Sequence, residues 1–312
     1  MADLPQRGAV VGCGVIGAAW AARMRLRGIN VAAYDPSPNA SEILDDVFAD
    51  AISAWDALGL STDHVGSLSL CASIEEAVAD AGLIQESVPE RLDIKHSTLA
   101  AIDAAAPADA IIASSTSGYK PTDLATSMAR PERLVVAHPF NPVYLLPLVE
   151  IVGGEQTSLG TIDRAMDTYR ALGMHPLHVR KEIDAFIADR LLEAVWREAL
   201  WLVNDGIATT EEIDDAIRYG FGLRWAQMGT FETYRIAGGE GGMRHFMEQF
   251  GPALKWPWTK LMDTPELTDE LIDTIAEQSD EQAAGRSIRD LAQERDRNLV
   301  AILRALESVD AG

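Results

Sequence analysis

One histidine in the chain has the surroundings of a general acid–base catalyst. His138 follows the apolar run 134–137, which is typical of a buried strand, and opens the proline-broken loop HPFNP. Its ring is therefore expected at the carboxyl end of a strand, where ligands bind in open α/β sheets. An imidazole titrates near neutral pH, so it can take a proton from an alcohol and return one to a carbonyl. That is the proton chemistry of a dehydrogenase.

Further along the chain lies a carboxylate that could orient this histidine. Glu150 comes twelve residues after His138, within a second apolar run, Leu148–Val152. An unpaired carboxylate would be costly to bury there. A hydrogen bond to His138 would remove that cost, select one tautomer of the ring and stabilise the imidazolium formed during turnover. On these residues alone, a structural histidine and a strand-edge glutamate are an equal alternative.

The start of the chain carries a dinucleotide-binding fingerprint in the context that it requires. A strand from Gly8 leads into a turn and then a helix that ends near Arg27. The residues of the turn are Gly12, Cys13, Gly14, Val15, Ile16 and Gly17. The first glycine permits the tight turn, the second lets a pyrophosphate approach the helix N-terminus, and the third packs the helix on the strand.

An acidic residue follows the fingerprint at a suitable distance. The second predicted strand, residues 31–34, is followed directly by Asp35, eighteen residues after Gly17. A carboxylate there can accept hydrogen bonds from the adenosine ribose and would repel a 2′-phosphate, so NAD is predicted as the cofactor rather than NADP. The weaker alternative is a glycine-rich loop with a capping aspartate.

Composition excludes several classes of protein. The 312 residues are 47% hydrophobic, which is typical of a soluble globular chain with room for two domains. There is no run of the ~18 apolar residues that a membrane helix needs, and residues 1–7 are too short and polar for a signal sequence, so a cytoplasmic location is expected. Cys13 and Cys71 lack the spacing of a disulfide framework or a metal site. The net charge of -22 disfavours nucleic acid and anionic membranes as partners.

Apolar runs of strand length alternate with segments of helical length up to Arg180. This alternation predicts an α/β fold with a Rossmann-like, doubly wound and mostly parallel sheet. Residues 184–205 are then predicted to form one long amphipathic helix. We therefore expect a Rossmann NAD-binding domain over residues 1–183 and a smaller all-helical C-terminal domain, for substrate binding and dimerisation, over residues 184–312. The further predicted strands are 67–71, Leu83–Glu86, Ile111–Ser114, 134–138, Leu148–Val152 and His175–Val179.

Several segments occur in the order and spacing of one superfamily. They are the glycine fingerprint, QESVPERLDIK, SSTSG, HPFNP with Glu150, and FIADRLL. In these segments, and over essentially the whole chain, the sequence resembles the 3-hydroxyacyl-CoA dehydrogenase superfamily. Segments such as VYLLPLVEIVGGE and REALWLVNDGIATTEEIDDAIRYG most closely resemble one branch of this superfamily, the NAD-dependent enzymes that oxidise L-carnitine to 3-dehydrocarnitine.

The resemblance implies a role for individual residues. His138 would be the general base and Glu150 its orienting partner. Ser117 would hydrogen-bond the substrate oxygen, and Asn141 would lie beside the nicotinamide. The rest of the cofactor site would be formed by residues 12–17, Asp35, Glu90 and Lys95.

Two departures from the acyl-CoA enzymes point to a small, cationic substrate. Asp189 stands where those enzymes have asparagine in the FIxNR motif, so a substrate-facing amide is replaced by a carboxylate. A salt bridge to a neighbouring arginine is an equal alternative. Residues 28–90 contain twelve carboxylates and no lysine or arginine, so the helix predicted at 39–58 lacks the cations that contact coenzyme A in those enzymes. An acidic, solvated helical face is the usual meaning of such a run.

The predicted helical domain offers groups that match the charges of carnitine. Residues 221–237 correspond to the family segment that closes over the substrate. Within it, Arg224 would hold the carboxylate, and Trp225, Phe231 and Tyr234 would face the trimethylammonium. Further aromatic candidates are Phe246, Trp256 and Trp258. Aromatic residues of helical domains also form cores and dimer interfaces, and that alternative stays open for each of them.

These observations together predict NAD-dependent oxidation of L-carnitine at C3. Alternative substrates are another small 3-hydroxy acid, such as L-gulonate, and a 3-hydroxyacyl-CoA. A redox-silent NAD-binding protein would keep the fingerprint but would need no histidine–glutamate pair. A homodimer is also expected. The helical domain has more apolar positions that look exposed than one nucleotide domain would cover, and Trp196, Leu200 and Trp201 are among them.

Overall fold

An eight-stranded sheet organises the first part of the chain. It has the order β3-β2-β1-β4-β5-β6-β7-β8. Neighbouring strands are parallel except β6 and β7, which are antiparallel. The predicted α/β, Rossmann-like fold is confirmed. The strands are β1 (Arg7–Val11), β2 (Asn30–Tyr34), β3 (Leu68–Leu70), β4 (Leu83–Glu86), β5 (Ile111–Ser114), β6 (Leu134–Pro139), β7 (Leu148–Val152) and β8 (His175–Val179).

The computed structural model describes residues 4–226, 228–237, 242–250, 266 and 268–310. Contacts between residues divide the chain into two units, Met1–Asp189 and Arg190–Gly312. The first unit contains the whole sheet and extends six residues past the predicted end of the nucleotide domain at residue 183. Of the helices in the described residues, none is long and apolar enough to cross a membrane.

Helices flank the sheet of the first unit. Helix α1 packs closely because its buried positions include four alanines, whose small side chains let the backbone approach β1 and β2. Trp20 of the same helix is completely buried. The helices of this unit are α1 (Val15–Leu26), α2 (Ala40–Leu58), α3 (Ile74–Val78), α4 (Leu92–Ala105), α5 (Pro121–Ala125), the 3₁₀ turn Pro131–Arg133 and α6 (Leu159–Ala171).

The central strands are buried along their whole length. Every residue of β4, β5 and β6 is buried, as expected for a parallel sheet that is covered on both faces. Because β1, β4 and β5 run parallel as neighbours, the residues that follow them meet at one edge of the sheet. That edge brings together Gly12, Ser87 and Ser115.

The predicted start of the long helix is wrong. The helix begins at Ala188 and not at residue 184, because Ala185 and Phe186 have φ angles of 56° and 50°. Such left-handed residues cannot continue a right-handed helix. The turn instead places the Phe186 ring, which is fully buried, in the hydrophobic core.

The second unit is helical in the residues that the structure describes. Helix α7 exposes Leu191, Leu192 and Trp196. Of the other two residues predicted to be exposed on this helix, Leu200 is buried and Trp201 is half-buried. The helices are α7 (Ala188–Asn204, whose first two residues belong to the first unit), α8 (Thr210–Ala216), the π-helical turn Ile217–Phe221, α9 (Gly222–Trp225), α10 (Thr230–Ala237), α11 (Gly242–Phe250), α12 (Asp269–Ala283) and α13 (Ile288–Asp310).

Candidate functional site

The three glycines after β1 have the separate properties that a dinucleotide turn requires. Gly12 has a φ of +93°, and a Cβ there would lie 2.6 Å from the backbone of Ser87. A Cβ on Gly17 would lie 1.8 Å from the carbonyl oxygen of Gly12, so only glycine lets α1 pack on the strand. Around Gly14, in contrast, a Cβ would meet nothing within 4 Å. The first amides of α1 have no side-chain cap, so this open space adjoins donors that suit a phosphate group.

Asp35 lies at the end of β2 and connects that strand to the turn. Its Oδ2 accepts a hydrogen bond of 2.6 Å from the amide of Cys13, and its Oδ1 accepts one of 2.8 Å from the amide of Ser37. Burial, with a smaller contribution from the charge of Asp35, raises the pKa of the Cys13 thiol to about 12. Cys13 is therefore a neutral thiol that packs the turn, whereas the Asp35 carboxylate is held beside the open space at Gly14.

A cavity of about 300 Å³ opens at the same edge of the sheet. It brings together five residues predicted for the site: Ile16 of the glycine turn, Glu90, Lys95, Ser117 and His138. Its remaining lining residues are Ser87, Val88, Ser115 and Pro139. The carboxyl edge of a parallel sheet is the usual place for a ligand in this architecture, and the predicted residues meet there although they come from distant parts of the chain.

The positive charge in this cavity is held between two carboxylates. Lys95, on α4, is almost fully buried, and its Nζ lies 3.0 Å from Oε1 of Glu86 and 3.2 Å from Oε2 of Glu90. Oε1 of Glu86 also accepts a hydrogen bond from the amide of Val88, and its Oε2 accepts one of 2.5 Å from the hydroxyl of Ser114. The ammonium is therefore fixed in position by two carboxylates that face its single positive charge.

Sequence reasoning did not identify Glu86 as a site residue. It is completely buried at the end of β4 and connects α4 with β5 through Lys95 and Ser114. The signal that could have found it was the one used for Glu150, namely a lone carboxylate within a strand that is predicted to be buried.

A buried polar network beneath the cavity was also not predicted. Ser115 accepts hydrogen bonds from the side chains of Trp20 and Gln85, and its hydroxyl lies 2.8 Å from that of Ser87. Tyr169 donates to Oε1 of Gln85 at 2.7 Å, and complete burial raises the pKa of this tyrosine. These neutral groups satisfy one another and hold the two serines of the cavity wall in place.

His138 is paired with Glu150 across the antiparallel strands. The two residues are direct register partners in β6 and β7, and Nδ1 of the ring lies 3.0 Å from Oε2 of Glu150. His138 is only 5% exposed and lies inside β6, which continues through Pro139, so the loop begins at Phe140, two residues after the histidine and not at it. The rings of Phe140 and Phe186 lie against the imidazole at centroid distances of 5.4 and 5.6 Å.

Glu150 has further partners that place it in the interior. Its Oε1 accepts hydrogen bonds from the amides of Ile187 and Ala188 at 2.9 and 3.0 Å, so it caps the start of α7. Strand β7 lies between β6 and β8. The alternative of a strand-edge glutamate is therefore wrong.

Asp189 approaches the other nitrogen of the same ring. Its Oδ2 lies 3.5 Å from Nε2 of His138, and its side chain is 20% exposed. The imidazole consequently has a carboxylate at each nitrogen, with Glu150 buried at Nδ1 and Asp189 partly exposed at Nε2. The nearby carboxylate of Asp184 has a different partner, because its Oδ1 lies 3.2 Å from Nζ of Lys120.

Two other predicted residues lie at the surface of the first unit. Ser117 is exposed and lines the cavity. Asn141, also exposed, follows β6 and is outside the set of residues that lines the cavity.

The predicted substrate-binding residues of the second unit lie on its surface. Arg224 and Trp225 are exposed at the end of α9, where Trp225 packs edge-on against Phe221 at 4.5 Å. On α10, Phe231 is 80% exposed, and Tyr234 stacks on Phe246 of α11 at 4.6 Å. The predicted candidates Trp256 and Trp258 lie outside the described residues.

Known proteins resemble the chain along almost its whole length. It is 61% identical over 310 residues to an L-carnitine dehydrogenase of Mesorhizobium japonicum, covering 98% of this chain and 85% of that protein. It is 60% identical over 305 residues to an L-carnitine dehydrogenase/betainyl-CoA thioesterase of Agrobacterium fabrum, covering 97% of this chain and 62% of that longer protein. A solved structure of 5-formyl-3-hydroxy-2-methylpyridine 4-carboxylic acid 5-dehydrogenase, an NAD⁺-dependent dismutase, is similar with a TM-score of 0.81 at 29% identity, covering 97% of this chain and 99% of that one.

Both units also match models of one enzyme family. Residues 8–183 match the model described as 3-hydroxyacyl-CoA dehydrogenase, NAD binding domain. Residues 186–276 match the model described as 3-hydroxyacyl-CoA dehydrogenase, C-terminal domain. The predicted cofactor, NAD, is confirmed, because the matching model describes an NAD-binding domain. The chain belongs to the 3-hydroxyacyl-CoA dehydrogenase family, and it is an NAD-dependent oxidoreductase.

Proposed function

We propose that this protein oxidises L-carnitine to 3-dehydrocarnitine in a cytoplasmic, homodimeric enzyme. The observation that carries the proposal is the His138–Glu150 pair, whose histidine lines a cavity next to the glycine turn. The names of the relatives support the choice of substrate. NAD, when bound, accepts the hydride that leaves C3 of the substrate.

The chain's own residues handle the proton of the reaction. Because Nδ1–H of His138 donates a hydrogen bond to the Glu150 carboxylate, Nε2 is the nitrogen that accepts the proton of the substrate hydroxyl. Glu150 then stabilises the imidazolium. Ser117, which lines the cavity, donates a hydrogen bond to the substrate oxygen, and Asn141 would contact the nicotinamide when NAD is bound.

Residues at the sheet edge hold the cofactor. Residues 12–17 bind the pyrophosphate at the start of α1, and Asp35 accepts hydrogen bonds from the adenosine ribose. Lys95 and Glu90 line the remainder of the cofactor site. The Lys95 ammonium needs no rearrangement for this role, because Glu86 already fixes it.

Replacing Asp35 should reduce the preference for NAD. The substitution Asp35→Asn keeps an acceptor for the amide of Cys13 but removes the charge that repels a 2′-phosphate. A hydrogen bond to a charged group contributes about 1.5–3 kcal/mol, so the ratio of kcat/KM for NAD over NADP should fall roughly tenfold to hundredfold. Steady-state kinetics with both cofactors measures the ratio. An unchanged ratio would remove Asp35 from cofactor selection, and Asp63→Asn, at an exposed position away from the turn, is the matched control.

Substrate recognition needs a partner for each charged group of carnitine. Arg224 holds the carboxylate through its planar, two-pronged guanidinium. A quaternary ammonium has no N–H to donate, so aromatic faces are its natural partners, and each good contact is worth about 0.5–2 kcal/mol. The exposed rings of Trp225, Phe231 and Tyr234 supply these faces. Asp189, beside Nε2 of the base, supplies a negative charge next to the reacting carbon.

The substrate assignment is tested with an analogue that has the shape of carnitine and no positive charge. Replacing trimethylammonium by tert-butyl should lower kcat/KM by roughly tenfold or more, because only the cation–aromatic and cation–carboxylate attraction is lost. L-3-Hydroxybutyrate is the control without the bulky group. Equal kcat/KM for carnitine and the tert-butyl analogue would reject carnitine as the substrate.

The strongest alternatives are a small 3-hydroxy acid such as L-gulonate and a 3-hydroxyacyl-CoA. A coenzyme A thioester is disfavoured because α2 and its neighbours, residues 28–90, contain no lysine or arginine to bind its phosphates. A panel of these compounds, followed by the absorbance of NADH, separates the alternatives.

The homodimer is supported by the apolar surface of α7. Leu191, Leu192 and Trp196 are each more than half exposed in the single chain, and an exposed apolar helix face of this kind is typical of a protein–protein contact. Light scattering at micromolar concentration should give twice the chain mass of 33.8 kDa. A mass equal to one chain would contradict the dimer, and Trp196→Glu should shift the protein towards that value.

A further inference from the structure

His138 needs a route by which its proton reaches solvent. In each oxidation the imidazole gains one proton, which must leave before the next alcohol can be deprotonated. The side at Nδ1 offers no such route. Glu150 there is completely buried, one of its oxygens faces the ring, and the other accepts the amides of Ile187 and Ala188.

The side at Nε2 is different. Asp189 Oδ2 lies 3.5 Å from this nitrogen, and the Asp189 side chain is 20% exposed, whereas that of His138 is 7% exposed. Asp189 therefore touches both the buried ring and water. Its position in the first turn of α7 is set by Glu150, which caps that helix and orients the imidazole at the same time.

We propose that Asp189 is the proton outlet of His138. This inference rests on the proposed function of His138 as general base. The O–H bond of the alcohol breaks and an N–H bond forms at Nε2 as the hydride leaves C3. After the ketone has departed, the N–H bond at Nε2 breaks, the proton passes to Oδ2 of Asp189 and then to water, and neutral imidazole is restored. In the reductive direction the same steps run backwards.

The geometry requires only a short movement. A separation of 3.5 Å exceeds an ordinary N–H···O hydrogen bond, so transfer occurs after a small rotation of the side chain or through one bridging water. The remaining charged groups are less suitable. Lys95 and Glu90 line the same cavity, but the Lys95 ammonium is held by Glu86 and Glu90 at 3.0 and 3.2 Å. The two aromatic rings against the imidazole, those of Phe140 and Phe186, have no group that could accept a proton.

The relay predicts a distinctive time course for Asp189→Asn. Asparagine has nearly the same shape but cannot accept the proton. Loss of the negative charge should raise KM for L-carnitine, but at saturating substrate the first turnover should still give a burst of about one NADH per chain, and later turnovers should be roughly tenfold to hundredfold slower than the first. Stopped-flow absorbance at saturating L-carnitine and NAD, in weak buffer, measures both phases. Added imidazole or formate should accelerate the slow phase of the variant and leave the unmodified protein unchanged.

Two further variants make the test decisive. Asp189→Glu restores a carboxylate and should restore repeated turnover, while Asp189→Ala should repeat the burst and its rescue even if asparagine disturbs the start of α7. A role in substrate binding alone would raise KM without a burst and without rescue by small acids or bases, and it would overturn the relay. Full-rate steady turnover of Asp189→Asn would overturn it as well. Absence of NADH from the unmodified protein with L-carnitine would instead reject the proposed function on which the relay rests.

Discussion

Replacing His138 with alanine should lower the rate of substrate oxidation by about two to four orders of magnitude, the usual span for a lost general base. The affinity for NAD should change little, because the glycine turn, Asp35 and Lys95 keep their contacts. The loss should appear mainly in kcat. Steady-state kinetics gives kcat, and NAD titration by tryptophan fluorescence gives the affinity.

The pH dependence provides a second measurement on the same residue. Oxidation uses neutral imidazole and releases a proton, whereas reduction uses the imidazolium and takes one up, so the two rates should change in opposite directions with pH. His175→Ala is a suitable control, since His175 is exposed at the start of β8. Near-normal turnover of His138→Ala, or parallel pH profiles in the two directions, would remove His138 from the mechanism.

Replacing Glu150 with glutamine should be almost as damaging as losing the histidine. The amide oxygen of the introduced glutamine must face the N–H groups of Ile187 and Ala188, because only an oxygen can accept their hydrogen bonds. The NH₂ group is then directed at Nδ1 of His138, which must become an acceptor. The proton moves to Nε2, and the ring cannot act as a base. Selecting the wrong tautomer in this way costs about four orders of magnitude in kcat in a serine protease triad.

Two variants at this position separate the electronic effect from loss of structure. Glu150→Gln keeps the cap of α7, so its free energy of unfolding in urea should stay close to that of the unmodified protein. Glu150→Ala removes the cap and leaves the partly buried amides of Ile187 and Ala188 without their acceptor, which should cost about 1–3 kcal/mol in total, because water can still reach them in part. Glu155→Gln, an exposed carboxylate on the loop after β7, is the matched control. A Glu150→Gln protein with normal kcat would show that the pair does not set the tautomer.

Local patterns in the sequence determined much of the fold. Four strands, β4, β5, β7 and β8, have the predicted bounds. In β5 and β7 the reason is that strands buried on both faces are mostly apolar. The glycine turn was equally predictable. Gly12 and Gly17 answer short-range steric needs, which the positive φ of Gly12 and the close approach of Gly17 to the carbonyl oxygen of Gly12 demonstrate.

Only the tertiary structure decided how the site is assembled. The pairing of His138 with Glu150 depends on the register of two antiparallel strands, and a shift by one residue would turn either side chain to the opposite face. The approach of Asp189 depends on two left-handed residues, Ala185 and Phe186, that delay the start of α7. Such contacts join residues far apart in the chain, so their energies arise from packing and burial, which no local pattern of residue types contains. The sequence alone therefore determined which residues can do the chemistry, and the fold decided which atoms of those residues face one another.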